Sequence, residues 1–342
     1  MLPGNVDPVL ALPARASLPL PPGVEQRLIE TGPGPAARLR WETSILPGLV
    51  RRLSKEGNLL LHATSPQPAL FSPSPVIVSP AGFDWAAGGA RLKPERSGLA
   101  ERLREAVGAG AFSRVRSLLW PADLPEPDFS THVARMPPCV HPAFMNGPEP
   151  LPELESLDLP ETFVLYHGPD SPQALQRLFS AWSWAAGSLG EYYPLLLLGF
   201  GERARAGLSD LTNQYGLGET VHAIPNLPPA SLAGLYRRCA AVFHPAPPSP
   251  WEGPLRFALA TARPLVALET PLTGALTGPA AYLVDPGQPP ERKNRALGAA
   301  LITVIVEESV AEALSAAAVE RTAGWQPDAY QGALGALYQP FL

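Results

Sequence analysis

The stretch FVLYHGPDSPQALQRLFSAWSWAAG, residues 163–187, decides how the chain is built. Its opening residues form an apolar run too short for a helix, closed by Gly168 and a proline-containing turn. After the turn, Leu175, Leu178, Phe179 and Trp182 recur at the three- and four-residue spacing of one helix face. The stretch therefore predicts a buried strand running into a helix. The alternation continues downstream. LLLLGFG (195–201) precedes a helical segment reaching Tyr215, and TVHAI (220–224) precedes LPPASLAGLYRRC, with proline at a helix start. AAVFHP (240–245) leads to the helix-like PLRFALATA (254–262), followed by PLVALE (264–269), AYLVDP (281–286) and a long apolar helical stretch from about 290. Short apolar runs alternating with helices predict an α/β fold with a parallel sheet covered on both faces.

The N-terminal half carries a weaker version of the same pattern. VLALP (9–13), VEQRLIE (24–30), NLLLHA (58–63), PVIVS (75–79) and SRVRSLLWP (113–121) read as strands. RLRWETSILPGLVRRLSKEG (38–57) reads as a helix interrupted by Pro47, and GLAERLREAVGAG (98–110) as an amphipathic helix. The segment 146–160 is rich in proline and acidic residues and buries no face, so it reads as a linker. The division expected is an N-terminal domain over 1–150, a C-terminal domain over 151–324, and a helix over 325–342 packing back on the first domain.

Length and composition agree with this division. A chain of 342 residues suits two domains of ordinary size, and 46% apolar against 17% charged residues is the composition of a folded chain with large cores. A net charge of −5 with no lysine or arginine run argues against nucleic acid as a partner. Cys139 and Cys239 stand far apart without zinc-ligand spacing, which predicts buried thiols in a reducing, cytoplasmic setting and no metal. No apolar run is long enough for a transmembrane segment. The six histidines (62, 132, 141, 167, 222 and 244) show no ligand spacing, although His167 and His244 fall at strand ends.

Taken in order, a set of these segments resembles the family-4 glycosyltransferases. RLRWETSILPGLVRRL is similar to the helix that carries RxxWEQxxLP in that family, and MPPCVHPAF (136–144) to the VPNGVDPAF that closes its first domain. YHGPDSPQALQRLFSAW, LLLLGFG, LAGLYRRCAAVFHP, WEGP, ARPLVALETP and GPAAYLVDP then follow in family order. The resemblance implies a GT-B fold, two facing Rossmann-like domains with a ligand cleft between them, and transfer of a sugar from a nucleotide diphosphate without a bound metal or other cofactor. It carries the donor contacts onto Gly168, Gln173, Gly199, Asn226, Glu252, Gly253 and Pro254.

Against that pattern the chain departs at several polar positions. The family's phosphate-binding lysine aligns with Gln173, and the first cation after it is Arg177. The ribose-binding glutamate of EGFGLPxLEAMAxGxPVV aligns with Phe257 once three loop residues are deleted ahead of Pro254. Glu252 is retained, either as a site carboxylate or as a helix N-terminal carboxylate favoured by the helix dipole. The His-Asp pair near the acceptor aligns with Ala81 and Gly82, leaving Asp84 two positions late, and a further acidic position aligns with Ala275. Residues 1–37 lack the strand and glycine-rich turn with which the family opens.

Charge-assisted hydrogen bonds contribute roughly 1.5–3 kcal/mol each. Losing three such contributions would weaken donor binding by about 10³–10⁵-fold. The expectation is a degenerate, N-terminally shortened relative that does not catalyse and acts by binding, retaining at most weak affinity for a nucleotide sugar, with a protein partner such as an active glycosyltransferase. The alternative is an active retaining transferase with a rearranged site built on Glu252, with Asp84, Arg177 or Arg256 as substitutes. A third is a structural subunit with its cleft packed shut.

Overall fold

The computed structural model describes residues 7–13, 24–30, 35–65, 67–80, 103, 107, 110–127, 131–145, 152–155, 157–169, 172–200 and 202–341. The chain divides into two units. Unit 1 comprises Met1–Pro138, Ser249–Trp251 and Asp328–Leu342, and unit 2 comprises Cys139–Pro248 and Glu252–Pro327. The first division thus falls between Pro138 and Cys139, ahead of the 150/151 boundary read from the sequence.

In unit 1, β1 (Val9–Pro13) pairs in parallel with β2 (Glu25–Ile29). A second sheet contains β3 (Leu61–Ala63), β4 (Val76–Val78), β5 (Ser117–Pro121) and β6 (Val133–Met136), all parallel and in that order. Every residue of β4 and β5 is buried, as largely apolar runs require, with the one polar member, Ser117, bonded to His132. Over one part of this sheet lies the C-terminal helix Pro327–Tyr338, and Tyr338, Leu334 and Leu337 pack with Ile77, Leu119 and Met136. Trp251 joins the same cluster. Its indole N–H donates to Leu119 O at 3.0 Å, and its ring meets Tyr330 edge-on at 5.7 Å.

The helix expected to break at Pro47 does not break. Helical turns run from Pro35–Arg40 through a π-helical segment, Trp41–Ile45, into Leu46–Leu53. A proline in an α-helix removes an N–H and collides with the carbonyl four residues back. The wider π turn, in which Leu46 N–H donates to Trp41 O, lets the chain pass Pro47 and continue. The amphipathic helix read at 98–110 lies largely outside the described residues.

Unit 2 has one six-stranded parallel sheet. Its strands are β7 (Val164–Tyr166), β8 (Leu195–Leu198), β9 (Val221–Ile224), β10 (Ala241–His244), β11 (Leu265–Leu268) and β12 (Tyr282–Val284). Across the sheet they run β9-β8-β7-β10-β11-β12, so the winding direction reverses between β7 and β10. Leu175, Leu178, Phe179 and Trp182 of helix Pro172–Leu189 are all buried, as their spacing predicts. That helix packs closely against helix Pro290–Val306 at Gly298, where an added Cβ would lie 2.6 Å from Trp184 Cβ. The segment read as a linker is partly packed: Leu154, in the short helix Pro152–Glu155, is buried. No described helix is long and apolar enough to cross a membrane.

Candidate functional site

In an open parallel sheet the strands on either side of a winding reversal send their following loops apart, leaving a crevice at their carboxyl ends. In unit 2 that point lies between β7 and β10. The residue after β7 is His167, and the last residue of β10 is His244. Helix Gly253–Ala260 begins shortly after β10, with Glu252 as its N-cap and Pro254 in its first turn. The sequence-predicted residues Glu252, Gly253 and Pro254 therefore come to one end of one sheet, together with His167 and His244, which the sequence placed only at strand ends.

What fills this end is aromatic. Phe257 stacks on Phe144 with ring centroids 4.1 Å apart and planes 10° from parallel. Tyr236 presents its edge to Phe257 at 5.7 Å, and His167 lies over it at 6.2 Å. The Phe257 ring also rests against the backbone at Gly253, where an added Cβ would meet it at 3.0 Å. Such pairs stabilise by about 0.5–1.5 kcal/mol each beyond their area burial. The position aligned with a ribose-binding carboxylate is thus part of an apolar cluster.

Burial keeps His167, His244 and Tyr236 uncharged. His167 accepts from or donates to Tyr236 OH through Nδ1 at 3.0 Å, and the protein packed around its ring pushes its pKa down to about 4. His244 is buried, and neither ring nitrogen has a hydrogen-bond partner. Burial first, and then the nearby His167, push it down to about 3. Burial raises the Tyr236 hydroxyl well above its ordinary value. Both histidines are held as neutral imidazoles at neutral pH.

The remaining expected residues divide. Glu252 is buried at the N-cap of its helix, without a side-chain cap bond to it. Arg256 is buried with its guanidinium 5.3 Å from the Trp325 ring centroid, while Arg177 is exposed on helix Pro172–Leu189. Gly199 has φ +90, a conformation that favours glycine, and an added Cβ would lie 2.8 Å from Asn226 Oδ1, so these two expected residues meet at the ends of β8 and β9. Gly168 is tight against Tyr166, whose hydroxyl donates to Pro169 O at 2.8 Å. Ala275 sits in helix Pro271–Thr277, and its carbonyl accepts from Arg321 Nη2 at 2.5 Å. Ala81, Asp84 and the Gln173 side chain lie outside the described residues.

Sequence reasoning missed Phe144 and Tyr236 as members of this group. Both stood in quoted segments, MPPCVHPAF and LAGLYRRC, but their meeting with Phe257 depends on long-range packing that no local spacing encodes.

No family model and no curated protein matches the sequence. Solved structures do match the fold. A sucrose-phosphate synthase from Thermosynechococcus elongatus aligns with a TM-score of 0.69 at 17% identity, over 99% of this chain and 86% of that one. WaaG, a glycosyltransferase involved in lipopolysaccharide biosynthesis, aligns at 0.67 and 14% identity over 94% and 88%. HepE of Anabaena, in complex with UDP and glucose, aligns at 0.63 and 14% identity over 93% and 86%. At these identities the likeness speaks for architecture alone, and with the parallel sheets described above it gives this chain the GT-B fold.

Proposed function

We propose that this chain is a glycosyltransferase-like protein that has given up sugar transfer and acts by binding, with a protein partner as its working ligand. The observation that carries the reading is the Phe144–Phe257 stack at the winding reversal, where a donor ribose would need a carboxylate. Phe257 offers ribose hydroxyls no acceptor. The neighbouring histidines are neutral and add no positive charge toward a diphosphate. Cys239 is buried as expected whereas Cys139 is half-buried, and no disulfide forms among the described residues, in keeping with a cytoplasmic setting.

A second reading, an active retaining transferase, draws on one observation: buried His244 has both ring nitrogens without partners, as a group waiting for a ligand would. One experiment separates the two. Calorimetry of the full chain against UDP, GDP and ADP should give no binding tighter than millimolar, and incubation with UDP- and GDP-sugars should release no nucleotide. Micromolar affinity for any of the three, or steady release of nucleotide, would sink the non-catalytic reading.

A further inference from the structure

Among the described residues, unit 1 contains two separate parallel sheets, β1–β2 and β3–β6, and strand residues of both line one cavity. The two-residue period of a parallel ladder says which backbone groups border it. Glu25 N–H donates to Pro8 O, so Leu10 and Leu12 turn their backbone groups toward β2 while Val9 and Ala11 turn theirs away. On β3, Leu61 N–H donates to Pro75 O and Ala63 O accepts from Ser79 N–H, so Leu60 and His62 turn theirs away from β4. Among the described residues, no strand pairs with either of these outward edges.

A single cavity of about 350 Å³ has both edges in its lining: Val9 and Ala11 from β1, and 58–62 from β3 and its approach. Its floor is apolar, formed by Leu46, Leu49, Val50 and Leu53 of the helix that passes Pro47. Asp7 and His62 are the ionisable side chains with a carboxylate or imidazole among the described lining residues, and no lysine or arginine is among them. Placed beside unit 2, the arrangement has a counterpart. There the sheet reads third, second, first, fourth, fifth, sixth strand in chain order, and β7 holds the central position with β8 on one side and β10 on the other. In unit 1 the order across the cavity is β2, β1, cavity, β3, β4, β5, β6, one strand longer than unit 2 at its far edge, with the position that β7 fills in unit 2 left without a described strand.

We infer that this cavity is a docking site for a short, extended, apolar segment of a partner protein, which joins the two sheets by hydrogen-bonding to both edges. The chemistry of the occupant follows from what borders it. Two edges that no described strand pairs with require an occupant with donors and acceptors along both sides at a strand's spacing, which an extended peptide has and a compact apolar molecule lacks. The leucine and valine floor requires apolar side chains beneath it. The comparable strand, β7, is Val-Leu-Tyr and fully buried, so the donated segment resembles it: three to five apolar residues without charge. The inference supplies the partner contact that the proposed binding function needs, and it stands on unit 1 alone.

The probe is a nine-residue peptide with a central Val-Leu-Val-Leu-Val run flanked by two lysines at each end, titrated into the full chain. Binding is expected, and N-methylation at alternate positions of the run, which removes the N–H groups facing one edge, should weaken it roughly tenfold or more. Because the modification is in the peptide, the chain itself stays intact. Ala11→Pro gives a second check, since it removes an N–H that faces the cavity and leaves the bonds between β1 and β2 in place; it should weaken peptide binding to a similar degree with β2 amide protection unchanged. Equal affinity for the methylated and unmethylated peptides, saturation of the cavity by an apolar dye with no peptide binding, or self-association of the chain in place of peptide binding would each overturn the proposal. Nucleotide binding by unit 2 would leave it untouched, and failure of the peptide would leave the reading of unit 2 untouched.

Discussion

Replacing Phe257 by glutamate puts back the carboxylate that a donor site would have, and its cost follows from what Phe257 touches. The ring is partly buried, stacked on fully enclosed Phe144 and met edge-on by Tyr236. Truncating a fully buried phenylalanine costs about 3–5 kcal/mol, and a partly buried one proportionately less, about 2–3 kcal/mol. Glutamate adds about 1 kcal/mol for bringing a carboxylate beside apolar rings with partial access to water. The expected loss is therefore about 3–4 kcal/mol in unit 2. For a unit of this size, 1 kcal/mol corresponds to about 2–4 °C, which predicts a fall in Tm of roughly 6–16 °C. Phe257→Leu, which keeps an apolar side chain, should lose about 1–2 kcal/mol. Denaturant melts followed by far-UV circular dichroism give the overall loss, and amide exchange in β7 and β10 assigns it to unit 2. Phe257→Glu with undiminished stability and micromolar affinity for UDP or GDP would refute the reasoning, because it would mean the aromatic cluster is incidental and the pocket still suits a ribose.

Three further outcomes are expected. Because the folded pKa values of His167 and His244 lie below the ordinary imidazole value, the unfolded chain takes up protons first as pH falls. Their contribution is thus complete above about pH 6.5 and declines as pH falls toward 4 and then 3. Urea midpoints measured from pH 7.5 to 4.5 should decline, and His244→Phe should flatten that decline; an unaltered slope would contradict the assignment. Gly298→Ala should destabilise unit 2 by about 1–3 kcal/mol, read by chemical denaturation, since its methyl group would collide with Trp184 and the Ala181 carbonyl. Trp251→Phe keeps an aromatic ring in the unit 1 cluster but leaves the Leu119 carbonyl without its indole donor, and should cost about 1–2 kcal/mol by the same assay.

The strands of unit 2 were legible because each is a short, largely apolar run closed by a polar residue, glycine or proline, with only His222 interrupting one of them, and its helices because their buried side chains recur at helical spacing. Residues 163–187 contain both signals and fold as read. Pro47 misled because local propensity says nothing of a π turn, which here accommodates the proline without ending the helix. The loss of a polar residue at position 257 was visible in the sequence. Its replacement by a stack on Phe144 was not, since Phe144 and Phe257 are brought together only by the packing of helix Pro142–Met145 on helix Gly253–Ala260. Likewise the unpartnered state of His244 follows from what surrounds it in space, and its neighbours in the chain give no hint of it. The cavity in unit 1 is a property of two strand edges and a helix, which periodicity describes one at a time.

Unit 1 is assembled from three separated stretches of chain, and this sets an order on its synthesis. Residues through Pro138 leave the ribosome with the face of Ile77, Leu119 and Met136 uncovered. Trp251 arrives only after most of unit 2's sheet has been made, and the helix carrying Tyr338 arrives last. At about 5–20 residues per second, that face waits roughly 10–40 s for its cover. Truncating the chain before Pro327 would make the wait permanent, so a nascent or shortened chain should be retained by chaperones that grip apolar surface, while one that has reached its final helix is released.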